Sequence, residues 1–500
     1  MRNVIILLAV TLAAAATQWA PETRLTDNNY PDFSYWSTQR RVVVDLEGRV
    51  HVAWHVMNSD LGPCRFQIYY QRWYPDRGWT ADTMLSADLY EDDIFNKYAS
   101  LAVDSAGVVH AVWAGGTEDG ADQHIYLKSC VPSDSGNGGW EPVSRPLSVS
   151  APSVRKNCPT ITATPDGRVH AAWLESNYAS IVHRERVDTT WRDPVTVPIT
   201  HAYKAYPALA GGPDNRLHLI WYGREGTSGY YNVFYKSRTG ADWGATENVS
   251  YGIRHQMYPS VAVNPATGDP HVLWQCYEPT DNKRRVVHRR RDNSGWQPTD
   301  TLSEPGDSLN QETGQLIFTA DGRGHAAWGG RSPQWPTLTQ FRYAERSAAG
   351  DWSAPFNVTD TNGSRERPSI AAGGGDAPEA VHAVWTDYRD SNAEIYYARG
   401  EPGQFLAEER PAPRARPAPA TIVRGLLNLS GAGHNPILPG ESGLCPKPAL
   451  LLDASGRRVM ELQPGENDVR HLAPGVYFVR TRGSRGQGFE GSSRKVVIQR

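Results

Sequence analysis

The chain has 500 residues, with 51 Lys and Arg against 54 Asp and Glu and a formal charge of −3. This near-balance gives no broad reason to expect nucleic acid as a partner. Five cysteines in 500 residues form neither a disulfide scaffold nor a zinc-ligand spacing, although Cys130 and Cys158, the nearest pair, are candidates for a bridge in an oxidising compartment.

Residues 1–3 are followed by an almost unbroken apolar run over 4–16 that ends in small residues. This is the pattern of a secretory signal peptide, expected over 1–20 with cleavage between Ala16 and Ala20. At about 13 residues the run is short of the roughly 20 that a membrane span needs. No transmembrane helix is therefore expected in the mature chain, which should be secreted or held at the outer cell surface.

A His-x-x-Trp pair then recurs seven times, at His51/Trp54, His110/Trp113, His170/Trp173, His218/Trp221, His271/Trp274, His325/Trp328 and His382/Trp385. Each period runs in the same order: an apolar strand, an Asp/Gly turn, the His-x-x-Trp strand, a variable polar loop, a Tyr/Val/His-rich strand, and a Trp before a fourth strand. Such a repeat reads as one four-stranded blade of a β-propeller. Seven copies predict a seven-bladed β-propeller over 21–400, with six blades plus a stray hairpin as the alternative. The seventh period lacks its fourth strand, and Thr23-Arg24-Leu25-Thr26-Asp27 reads like one, so circular closure by the N-terminal segment is expected. The repeated His and Trp residues are read as structural, the Trp as filler between sheets, because one residue per blade lies on a ring too wide for a single metal ion.

Function is sought where the repeats differ. Ahead of the first strands lie Ser37, Asn96, Lys156, Lys204, Gln256, Gln311 and Arg365, with Tyr98, Tyr206 and Tyr258 close by. The expectation is a polar mouth for an anionic or hydroxyl-rich ligand, bound by Lys156, Lys204, Arg365, Gln256, Gln311 and Asn96. On this view Lys156, Lys204 and Arg365 are exposed charges whose loss leaves stability nearly unchanged. The 386–394 loop carries Asp387, Asp390, Asn392 and Glu394, oxygen donors of the kind Ca²⁺ takes, although Asp387 and Asp390 would equally brace the loop backbone. No other cofactor is expected.

Residues 401–420 are a charged Pro/Ala-rich linker. A small C-terminal β-sandwich is expected over 421–500, with strands at 449–452, 459–461, 469–471, 476–481 and 495–498.

The unit Pro-Ser-x-x-x-(Asp/Asn)…Gly-x-x-His-(Val/Ala)-x-Trp…Ile-Tyr-Tyr resembles the sialidase-like, BNR-type repeat propellers of exported bacterial proteins. True sialidases of that superfamily imply six blades, an arginine triad, a Tyr–Glu nucleophile couple, an acid Asp and Asp-boxes. This chain offers only Asp292-Asn293-Ser294-Gly295-Trp296 as a partial Asp-box and no assignable triad. The C-terminal motifs Asp453-Ala454-Ser455-Gly456-Arg457, Gly475-Val476-Tyr477 and Arg494-Lys495-Val496-Val497-Ile498 resemble the type A sorting domain of type IX secretion. That resemblance implies passage across the outer membrane and the secretion machinery as a partner; an ordinary FlgD-like or Ig-like module is the alternative. With no catalytic constellation legible, the preferred reading is a non-catalytic binding module for an extracellular glycan or surface protein. The alternatives are a divergent sialidase-like exo-glycosidase and a structural surface protein.

Overall fold

The computed structural model describes residues 17–34, 40–57, 66–92, 95–116, 123–132, 139–151, 153–226, 229–252, 254–278, 283–303, 309–374, 377, 379–390, 392–401, 421–423, 426–428, 449–453, 457–462, 466–481 and 493–498. The chain divides into two compact units, Met1–Phe405 and Leu406–Arg500. The apolar run up to Ala16, which carries the expected signal peptide, most of the expected linker and the expected turn at Ser455-Gly456 lie outside the described residues.

The first unit is a seven-bladed β-propeller. Seven antiparallel sheets each start from an innermost strand: Val42–Val44, Lys97–Val103, Lys156–Ala163, Tyr203–Gly211, Gln256–Val263, Gln311–Phe318 and Arg365–Ala372. Each innermost strand packs against the next, and the seventh returns to the first. The six-bladed alternative is thereby excluded. Blades are numbered 1 to 7 from Val42–Val44 onward.

Closure is made as the sequence suggests. Thr23 and Arg24 pair antiparallel with Tyr397 and Tyr396 of the third strand of blade 7, and Gln18 and Trp19 pair with Glu401 and Gly400. Thr17 also belongs to the closure, donating through its hydroxyl to Glu345 Oε2 at 2.7 Å. The expected signal boundary at residue 20 therefore falls inside the closing blade.

The repeated pair works from the second strand of each blade. All seven tryptophans, from Trp54 to Trp385, are buried between sheets, and the Nδ1 of each histidine reaches the third strand of its blade. In blade 1, His51 Nε2 meets Asp45 Oδ2 in the preceding turn at 3.0 Å, and Nδ1 meets the Tyr70 hydroxyl of the third strand at 2.6 Å. Asp45 must accept, so Nε2 carries the proton and Nδ1 receives the phenol. The same third-strand position supplies Tyr235, Tyr343 and Tyr397 to His218, His325 and His382, and His183 and His288 to His170 and His271.

The turn itself is closed by Asp45 Oδ1, which accepts the backbone N–H groups of Glu47 and Arg49 at 3.0 and 2.9 Å. Its last position is left-handed: Gly48 has φ 77°, and Asn215 takes that role in blade 4 at φ 61°.

Cys130 and Cys158 are buried thiols that form no disulfide, which corrects the suggested bridge. Cys130 instead accepts from Arg72 Nη2 at 3.1 Å.

Among its described residues the second unit has a five-stranded sheet and a two-stranded sheet. Strands Ala449–Asp453, Arg458–Leu462, Gly475–Thr481 and Ser493–Ile498 match the expected ones. The expected strand at 469–471 is displaced to Glu466–Asp468, since Val469 turns inward to join Leu451, Leu462 and Tyr477 in the core. Strands Thr421–Val423 and Leu426–Asn428 were not anticipated.

Candidate active site at the mouth of the propeller

The six residues expected to form a solvent-facing mouth are all buried: Asn96, Gln311 and Arg365 at 0%, Lys156 at 1%, Lys204 at 4% and Gln256 at 7% exposure. They serve the tryptophans. Trp113, Trp274 and Trp328 donate their indole N–H to Asn96, Gln256 and Gln311 at 2.9, 2.7 and 2.8 Å. Where the position is cationic it cannot accept, and an acid two residues after the tryptophan takes over. Trp173 donates to Glu175 at 2.9 Å, and Trp385 donates to Asp387 at 3.0 Å.

In blades 2 and 6 the amide acceptor is paired with a glycine two residues after the tryptophan, whereas blade 5 places Cys276 there, opposite Gln256. A Cβ on Gly115 would meet Asn96 Oδ1 at 2.6 Å, and one on Gly330 would meet Gln311 Oε1 at 2.0 Å. Blade 1 finds a third solution, and Trp54 departs there from the role of mere filler between sheets. Its indole N–H donates to Asp32 Oδ1 at 2.7 Å. That carboxylate comes from the strand Asp32–Phe33, which pairs with Val56 and His55 just beyond Trp54. The acceptor thus lies before the repeat begins, where alignment of the seven periods could not find it.

Blade 4 has none of the three. It carries Lys204 with Gly223, and the Trp221 indole N–H is buried without a partner. The ammonium groups are turned to backbone carbonyls: Lys156 Nζ donates to those of Gln123, Ala151 and Val154 at 3.0, 2.8 and 2.9 Å, and Lys204 Nζ to those of Ala179 and His201. These residues are blade fasteners, which corrects the expected polar ring. Ser37 lies outside the described residues.

The 386–394 loop is likewise committed. Asp387 is fully buried and pairs with Arg365 Nε at 3.0 Å and Arg389 Nη2 at 2.5 Å. Asp390 accepts from the Tyr396 hydroxyl, and Asn392 donates to Tyr30 O at 2.8 Å. Glu394 accepts from Thr26 and Arg24 at 2.5 and 2.9 Å. Two arginine guanidinium groups thus flank Asp387, and among the described residues no group of three or more His, Cys, Asp or Glu gathers.

The mouth is built one and two residues further along. Six of the innermost strands carry a register shift just after their start. At this level Tyr98, Cys158, Tyr206, Tyr258 and Arg367 all adopt left-handed backbone angles, φ 48° to 63°. Non-glycine residues held there cost of order 1–3 kcal/mol each, and such strain clusters at functional sites. The shift turns Tyr98, Tyr206, Tyr258, Glu312, Glu366 and Arg367 onto half-buried positions around the axis.

On one side of that ring lies an aromatic wall. Tyr206, Tyr222 and Tyr258 meet at centroid distances of 5.1 to 5.8 Å, and Tyr203 lies 5.1 Å from Tyr178 and 5.3 Å from Tyr231. Arg224 stands over Tyr203 and Tyr231.

The other side is charged. Glu366 Oε2 lies 3.1 Å from Arg367 Nη2 and 3.4 Å from the Tyr388 hydroxyl. Glu312 pairs with Arg284 at 3.0 Å, and Arg41 Nη2 donates to Arg367 O at 2.9 Å. Burial raises the Glu366 carboxyl above its ordinary range, with neighbouring Glu312 adding to it and Arg367 opposing. Burial also pushes the Tyr388 phenol up to about 12 and the Arg41 guanidinium down to about 9, the latter helped by Arg367. His55 is held neutral by burial, beside Lys97, Arg367 and Arg41. A Tyr–Glu contact among arginines is an arrangement that can activate a phenol by passing its proton to a carboxylate.

No protein-family model matches the chain, and no curated protein matches it. Similar solved structures include an ulvan lyase of polysaccharide lyase family PL25, bound to -[GlcA(1-4)Rha3S]-. It has 13% identity and a TM-score of 0.52 over 73% of this chain and 95% of that one. A GH93 α-L-arabinofuranosidase of Fusarium graminearum follows at 14% identity and a TM-score of 0.45, over 61% of this chain and 92% of that one. A Hadza microbial sialidase has 15% identity and a TM-score of 0.40, over 60% of this chain and 63% of that one. At 13% identity and a TM-score of 0.52, the likeness to the ulvan lyase bears on the propeller fold alone. The neighbours are mostly enzymes that cleave glycans, and this overturns the preference for a non-catalytic binding module.

Proposed function

We propose that the propeller is a carbohydrate-active enzyme, a divergent sialidase-like glycosidase acting on acidic sugars, with Tyr388 as nucleophile and Glu366 as its base. The observation that carries this reading is the Tyr388–Glu366 contact beside Arg367 in the mouth. A phenol is a weak nucleophile at neutral pH. As the phenol oxygen bonds to the anomeric carbon its proton passes to Glu366, the glycosidic C–O bond breaks and the aglycone leaves with a proton from solvent. Water, giving up a proton to solvent, then hydrolyses the sugar from Tyr388, whose oxygen regains its proton from Glu366. A carboxyl with a raised pKa is the better acceptor in the first step. A tyrosine nucleophile is an accepted departure from the two-carboxylate scheme. The separation of 3.4 Å suits a resting site that tightens when substrate binds. Arg367, Arg41 and Arg284 supply positive charge for a sugar carboxylate, and the tyrosine wall offers apolar faces for sugar rings.

The test is a panel of aryl glycosides of sialic, uronic and arabinofuranosyl sugars, run beside acidic polysaccharides and followed by reducing ends and by the ultraviolet absorbance of unsaturated products. Turnover by the wild type is expected to fall about 10²–10⁴-fold in Glu366→Gln and at least as far in Tyr388→Phe. Full activity in Tyr388→Phe would sink this assignment. Unsaturated products would replace hydrolysis by elimination.

We further propose that the chain is exported, with cleavage at Ala16 rather than Ala20, because Thr17 to Ala20 belong to blade 7. The C-terminal unit would act as a type IX sorting domain. Removal of 421–500 should then leave a folded propeller in the periplasm; normal surface delivery of that truncation would refute the role.

A further inference from the structure

A cavity of about 290 Å³ lies on the propeller axis, lined by the distal halves of all seven innermost strands and by Arg40. It shares no residue with the Tyr388–Glu366 mouth. Its walls are small or apolar, among them Val43, Ala102, Thr162, Ala210, Ala262 and Ala371, and no Asp or Glu lines it.

Arg40 departs from the repeat. The position two residues before the core-facing Ile161, Leu209, Val261 and Ile370 is Pro159, Pro207, Pro259 and Pro368, and in blades 2 and 6 it is Ala99 and Gly314. Proline suits the inward edge of an innermost strand, where an N–H would point at the axis without a strand partner. Blade 1 places a guanidinium there instead. Among the described residues no carboxylate, hydroxyl or carbonyl meets that guanidinium, and burial alone lowers its pKa.

A cation drawn into a confined space without a counter-charge is costly. Each innermost strand also ends its sheet, so seven strand edges with backbone N–H groups face the same space. Such edges form anion-binding concavities. We propose that the axial cavity is an anion site, in which Arg40 is the counter-charge for a small inorganic anion such as chloride or sulfate. The bound anion joins seven otherwise separate edges at the axis and stabilises the closed ring.

The test compares the full-length protein with Arg40→Met in chloride and in sulfate, at ionic strength held constant with a bulky sulfonate. The wild-type denaturation midpoint should rise with the logarithm of anion concentration, as expected for a ligand bound only by the folded state. The variant should lack that rise. Sulfate also stabilises proteins generally by exclusion from their surface, so the difference between the two proteins is the readout. Crystals soaked in bromide should show an anomalous peak within hydrogen-bonding distance of the Arg40 guanidinium. Parallel anion dependence in the two proteins, or no bromide at Arg40, would overturn the proposal. Should Arg40→Met fail to fold, Arg40→Lys and the wild-type bromide experiment decide it.

Discussion

Arg365→Ala should destabilise the propeller by about 3–5 kcal/mol, the usual cost of breaking a buried ion pair by removing one partner. Arg365 is wholly buried. Its Nε meets Asp387 Oδ2 at 3.0 Å, and its Nη1 donates to the carbonyls of Thr361 and Gly363 at 2.7 and 2.5 Å. Truncation leaves the Asp387 carboxylate in the blade with only Arg389 and the Trp385 indole, and strips two carbonyls of their donors. Arg365→Lys should fall in between, because a single ammonium keeps the charge and loses the planar fork. Midpoints in urea measure both. A shift within about 0.5 kcal/mol, typical of surface substitutions, would return Arg365 to the exposed role that the sequence suggests.

Acidification should unfold the propeller between pH about 6 and 4. Burial lowers six histidines of the repeat well below 6.5: His51, His170, His218 and His325 to about 4, His382 to about 3 and His271 to about 2. In this window the unfolded chain binds protons that the folded chain refuses, so stability is full above pH 6.5 and declines as pH falls towards the folded values. A depression from 6.5 to about 4 corresponds to roughly 3 kcal/mol for one histidine. A few such residues match the whole stability of a typical domain, about 5–15 kcal/mol. Asp32, raised to about 7 by burial, works in the opposite sense and offsets roughly one histidine, since its folded form takes up a proton first. Asp45, whose pKa is about 2 because His51 and Arg49 hold its charge against burial, loses its contribution only below about 3.8. Losses above pH 4 therefore report the histidines. Urea midpoints at stepwise pH should be flat above 7 and steep below 6.5. Stability unchanged from pH 7 to 4 would show that the imidazoles titrate freely.

The blades were legible because one strand per period must place an imidazole beside a turn and an indole between sheets, and few residues do either. Closure was legible because Thr23-Arg24 repeats the pattern of a missing strand. The mouth was hidden by the register shift. Counting by alternation stopped at Lys156, Lys204 and Arg365, and the left-handed residue two positions on, Cys158, Tyr206 or Arg367, reverses which side chains reach the axis. One signal was present in the sequence. An acid follows the tryptophan by two residues where the inner position is Lys156 or Arg365, and a glycine stands there beside Asn96 and Gln311. That exchange marks the inner position as a partner of the indole and not of a ligand. The Tyr388–Glu366 and Arg284–Glu312 contacts join separate strands or blades, and linear spacing carries no information about them.

The closing blade also orders events in time. Its outer strands come from residues 18–24 and its inner three from residues 365–401, so the ring stays open until almost the entire propeller has been synthesised. Throughout that interval the first strands have no partner and the last blade has a bare edge, a pairing that intramolecular search reaches slowly. A second copy offers the same two surfaces. Slow shutting and strand exchange between copies thus compete for one contact, and the concentration of newly made chains sets which prevails.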